Sequence, residues 1–134
     1  MSDHTLVRAV SGALPWLVTL SDEAGHEWLA DEPAGSGGAQ RGPTPTQLLL
    51  SGLGACTAIT LRMYAARKGW TLRAVSVELS FRREEAPPGS LIERRIALDG
   101  DLDSEQRARL LEIANKCPLH RVLTGELRIA SSLI

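Results

Sequence analysis

From Val75 to Arg82 apolar and polar residues alternate without a break: Val75, Val77, Leu79 and Phe81 against Ser76, Glu78, Ser80 and Arg82. A period of two is that of a strand with one face in a core and the other in water. Ile92, Ile96 and Leu98 resume an apolar file beyond Pro87-Pro88-Gly89, so the pattern predicts a hairpin. Upstream, His4–Val10, Pro15–Leu20 and His26–Ala30 read as three short strands, the first two joined at Ser11-Gly12. Asp31 to Pro43 then forms a loop rich in glycine and proline, long enough to be functional or mobile. Its glycines lack the order of a phosphate-cradling loop, and no lysine follows to grip a phosphate.

The pattern changes at Thr44. This residue can cap a helix, Pro45 suits the first helical position, and Gln47 can close a capping box. From Leu48 to Ala66 the predicted helix is apolar on nearly every face, and Gly52, Gly54 and Ala55 leave a smooth patch. A helix without a polar face calls for cover on every side. Two three-stranded groups give limited cover, so a second subunit is expected, packed through the Gly52/Gly54/Ala55 surface. Arg67, Lys68 and Gly69 suit the helix end. Asp103 with Gln106 predicts a second capping box, starting an amphipathic helix that stops near Lys116 because Pro118 disfavours helical geometry at Cys117. A short helix, Pro118–Leu123, and a last strand, Leu127–Ala130, complete one α+β domain spanning residues 1–134.

Composition narrows the function classes. The 134 residues are 43% hydrophobic and 23% charged, ordinary for a globular chain. Fifteen basic against sixteen acidic residues give a net charge of −1, with no basic surplus for phosphate backbones or anionic membranes. Three tryptophans, one tyrosine and one phenylalanine are few for stacking nucleic-acid bases. No nucleic acid and no membrane partner are therefore expected. The Met-Ser-Asp-His start is acidic, and the longest stretch free of charge and proline, Thr46 to Leu61, is short of the roughly 20 residues of a membrane span. A soluble cytoplasmic chain is the expectation.

Two cysteines are too few for a disulfide scaffold, which leaves redox chemistry or simple packing. Cys117, just before Pro118, is placed to cap the short helix, where free N–H groups favour a thiolate; His120 and Arg121 follow within one turn. Cys56 lies inside the apolar helix, where burial alone leaves a thiol inert and a small hydrophobe is the commoner role. His4, His26 and His120 are scattered, with no zinc-ligand spacing, and no nucleophile-elbow motif supports a serine hydrolase.

Gly42-Pro43-Thr44-Pro45-Thr46-Gln47-Leu48, Leu53-Gly54-Ala55-Cys56 and Cys117-Pro118-Leu119-His120 together resemble the OsmC/Ohr family, the osmotically inducible protein C and organic hydroperoxide resistance proteins. The resemblance implies an intertwined α+β homodimer, with antiparallel sheets around two central helices and active sites at the subunit interface. It implies thiol-dependent reduction of small organic hydroperoxides, with Cys56 as the peroxidatic and Cys117 as the resolving cysteine. The implied cofactor set is empty, an external dithiol serving as reductant. The activating arginine comes from the N-terminal part of the family fold, where Arg8 and Arg41 are candidates and Arg41, nearer the helix start, is preferred. Strong peroxidases of the family carry a glutamate where this chain has Thr46. That departure raises the alternative of a weak or inactive dimer binding a small apolar ligand at its interface. On the peroxidase reading, an arginine beside Cys56 is expected to lower its pKa.

Overall fold

A computed structural model describes residues 4–134, so the acidic start Met1-Ser2-Asp3, on which the leader-free reading rests, lies outside the described residues. The chain divides into two compact units, one ending at Leu49 and the other running Leu50–Ile134.

In the first unit, β1 (Val7–Ser11), β2 (Val18–Asp22) and β3 (Glu27–Ala30) form an antiparallel meander, with Val10 opposite Thr19 and Leu20 opposite Trp28. β2 starts later than its apolar run because Leu14–Leu17 is spent on a turn, the Leu17 N–H reaching the Leu14 carbonyl at 3.3 Å. The long loop after β3 is organised by one side chain. The buried Asp31 carboxylate accepts the N–H groups of Glu32, Ala39 and Arg41 at 2.8, 3.2 and 3.2 Å. Burial pushes its pKa up, but these amides outweigh burial and hold it below the ordinary carboxylate value. Gly38 is required here, since a Cβ at that position would lie 1.9 Å from the Glu32 carbonyl oxygen.

α1 (Pro45–Lys68) runs from the first unit into the second. Its capping box is complete: the Gln47 N–H donates to Thr44 Oγ1 at 3.2 Å and the Thr44 N–H to Gln47 Oε1 at 2.9 Å. Gly69, at φ 70°, turns the chain out of the helix. β4 (Thr71–Glu85) and β5 (Pro88–Asp101) then make a long antiparallel hairpin. Its register sets Val75, Val77, Leu79 and Phe81 opposite Leu98, Ile96, Arg94 and Ile92. α2 (Ser104–Ala114) carries the expected Asp103/Gln106 box, and α3 (Pro118–Thr124) follows with Cys117 as its cap. The core of this unit gathers Leu61 and Ala65 of α1, Leu72 of β4, and Leu110, Ile113 and Ala114 of α2.

The chain covers α1 only in part, and one expected element is missing. Within the single chain the row Leu53, Thr57, Leu61 and Ala65 is buried, while Ile59 and Met63 are 59% and 52% exposed. Two of the three small-patch residues lie against the chain's own elements, while Ala55 is exposed. A Cβ on Gly54 would lie 2.8 Å from Leu79 of β4, and one on Gly52 3.6 Å from Leu119 of α3. Leu127–Ala130 forms no strand, because a strand needs a neighbour to complete its ladder and none of the described residues pairs with this segment; Ile129 is 85% exposed. By length and composition α1 is also long and apolar enough to cross a membrane, since it continues past the charge at Arg62 where the sequence reading stopped.

Candidate active site

Cys56 and Cys117 belong to different elements of the second unit. Cys56 sits half-buried on α1 beside the fully buried Thr57, whose hydroxyl donates to the Leu53 carbonyl at 2.7 Å. Cys117 is placed by the way α2 ends. The N–H groups of Asn115, Lys116 and Cys117 close back on Glu112, Ile113 and Ala114 at 3.2, 2.9 and 3.3 Å. Cys117 then takes extended geometry, as a residue before proline must, and Pro118 opens α3. The Cys117 thiol is fully buried, and its sulfur accepts the His120 N–H at 3.4 Å.

This corner brings the two thiols together. Burial pushes the Cys56 pKa up; the Leu119 backbone N–H opposes this by donating to the sulfur, and Cys117 adds to it through a side-chain hydrogen bond and through charge. A hydrogen bond with Thr60 favours the thiolate more weakly. The net shift is upward, which overturns the expectation of a lowered value. The physical reason is that the groups acting most strongly on Cys56 are burial, one amide and a second acidic thiol, and none is an arginine.

Sequence reasoning missed a cation that reaches this corner. Arg94 of β5 donates to Thr57 Oγ1 at 3.0 Å, to Asn115 Oδ1 at 3.1 Å, and contacts His120 Nδ1 at 3.0 Å. Burial first, and the Arg94 charge second, hold the His120 pKa below its ordinary value. A signal was present in the pattern: Arg94 occupies an inward position between Ile92 and Ile96, where the alternation calls for an apolar residue.

The remaining candidates lie in the first unit. Arg41 is exposed on the loop, with its backbone N–H held by Asp31; Arg8 is on β1 and Thr46 in the first turn of α1. Among the described residues no group of three or more His, Cys, Asp or Glu is arranged to hold a metal ion. A half-buried thiol facing a buried one across two packed elements can pass between dithiol and disulfide, and can present one sulfur to a small oxidant.

Comparisons with known proteins bear on the fold and the family. A search of curated proteins returns no match. Among solved structures, an OsmC-like protein from Mycoplasma pneumoniae matches at TM-score 0.78 and 21% identity, over 93% of this chain and 90% of that one. The organic hydroperoxide resistance protein OhrB of Bacillus subtilis matches at TM-score 0.64 and 23% identity, over 92% and 93% of the two chains. An organic hydroperoxide resistance protein from Elizabethkingia anophelis matches at TM-score 0.68 and 19% identity, over 95% and 92%. At these identities the likeness is one of fold. The model of the OsmC-like protein family matches residues 36–132, a stretch that takes in α1, the hairpin and both cysteines, and the chain therefore belongs to the OsmC-like family.

Proposed function

We propose that the protein is a thiol-dependent peroxidase acting on small organic hydroperoxides. The observation that carries this reading is the meeting of Cys56 and Cys117, distant in sequence, on α1 and at the α2–α3 corner. Cys56, as thiolate, attacks the distal oxygen of the hydroperoxide. The O–O bond breaks, the alkoxide leaves and takes up a proton as the alcohol, and Cys56 is oxidised to the sulfenic acid. The Cys117 thiolate then attacks the Cys56 sulfur, the hydroxyl leaves as water with a proton, and a disulfide forms. An external dithiol restores both thiols by two exchanges. Arg41 is the proposed activating cation, on the strength of the resemblance alone. The working unit is a cytoplasmic homodimer. What supports the second copy is the uncovered apolar surface: Ile59 and Met63 on α1, beside an open groove of about 440 Å³, and the unpaired Leu127–Ala130 segment.

In a peroxide-consumption assay with a dithiol reductant, Cys56→Ser is expected to fall to the uncatalysed background. Equal rates for wild type and Cys56→Ser would end this reading. Sedimentation at micromolar concentration is expected to show a dimer, and a monomer there would refute the second copy.

One observation favours a rival. With its pKa raised, Cys56 is mostly a thiol at neutral pH. That suits a dimer which keeps the fold and binds a small apolar ligand without turnover, and Thr46 in place of the family glutamate points the same way. Thr46→Glu separates the two, since it raises activity if the missing carboxylate limits a peroxidase.

A further inference from the structure

Arg94 is half-buried, and its guanidinium meets three neutral acceptors on three elements: Thr57 on α1, Asn115 after α2, and His120 on α3. No acidic side chain among the described residues forms an ion pair with it, although its neighbour on β5, Arg95, pairs with Glu78 at 3.2 Å on the outer face. Burying a guanidinium in an apolar file, without a carboxylate, is costly unless its donors are used. Here they are, and the partners bracket the two cysteines: Thr57 follows Cys56, and Asn115 and His120 flank Cys117.

We propose that Arg94 is the positioning residue of the cysteine pair, a three-way fork that ties the α2–α3 corner to α1 and thereby presents Cys117 to Cys56. The fork also settles the form of His120. A guanidinium has only donors, so Nδ1 must offer its lone pair and the ring proton must sit on Nε2. The His120 backbone N–H in turn donates to the Cys117 sulfur at 3.4 Å, so the residue that Arg94 holds by its ring holds the thiol by its backbone. This role rests on the redox reading of the pair but not on any particular peroxide.

The test is the equilibrium between the Cys56–Cys117 dithiol and its disulfide in glutathione buffers. There two protein thiols and one glutathione disulfide give the protein disulfide and two molecules of glutathione. Losing hydrogen bonds from a charged donor should lower the equilibrium constant for forming the disulfide roughly tenfold in Arg94→Gln. Arg94→Lys keeps the charge but cannot span three acceptors, and should fall nearly as far. His120→Gln offers an acceptor oxygen to the fork and should stay near the wild-type value. Imidazole nitrogen NMR at fixed neutral pH should find His120 as the Nε2–H tautomer in wild type and as a mixture in Arg94→Gln, a signature that general loss of stability does not give. Wild-type equilibrium and tautomer in a folded Arg94→Gln, or full restoration by lysine, would overturn the proposal. A wild type that exchanges with glutathione yet consumes no peroxide would sink the peroxidase reading and leave the fork standing.

Discussion

The two cysteines live in opposite surroundings. Cys56 is in the middle of a helix, where its own element has no free amide to offer, and it is half-open to solvent. Cys117 is at a helix start, sealed from solvent, with an amide already on its sulfur. The amide that Cys56 does receive comes from Leu119 of α3, two residues beyond its partner. The accessible thiol thus depends on the sealed one's element for stabilisation. In such a pair, exposure and thiolate support are divided between two places in the chain, and the packing of α3 against α1 reunites them.

The largest effect that would sharpen this contrast is in labelling. Alkylation of the native protein should modify Cys56 and spare Cys117 by orders of magnitude in rate, since Cys117 reacts only through local opening. In Cys117→Ser, labelling of Cys56 should rise with pH to a midpoint above that of a free cysteine, because burial still raises its pKa. A midpoint below that value would erase the contrast. A middle-sized effect is expected in stability. Cys117→Ala removes the cap of α3 and should cost about 1 kcal/mol in denaturant unfolding. Cys117→Ser should cost less, its oxygen being able to take the His120 amide. The smallest effect follows from His120. Its folded-state pKa lies below the unfolded value of 6.5, so between the two the unfolded chain binds the extra proton. The stabilisation is complete above about pH 6.5 and fades as pH falls through the folded value. Melts of wild type and His120→Gln across mildly acid pH should differ by that slope.

Much of this was legible in the residues. Thr44/Gln47 and Asp103/Gln106 announced their helices because capping boxes are local, and Pro118 announced the cap at Cys117 for the same reason. The β4–β5 hairpin was legible because its alternation is strict. Where the reading failed, the deciding partner was remote. The composition of α1 does not say which face the chain itself will cover, and Leu127–Ala130 has strand-like residues but no strand beside it. Arg94 was visible as an oddity, yet its meaning depended on Thr57, Asn115 and His120, which only the packing of three elements brings within reach.

The buried carboxylate of Asp31 has a consequence for how the first unit comes apart. By holding amides at Glu32, Ala39 and Arg41, it pinches the loop shut at both ends much as a covalent staple would, and removes the entropy of an open loop. Those three amides should therefore exchange with solvent deuterium as one cooperative patch, not residue by residue. Its lowered pKa fixes when the patch is released. The clasp holds above the ordinary carboxylate value of 3.8 and yields only as pH falls through the lower folded one, so the loop should stay closed well into acid.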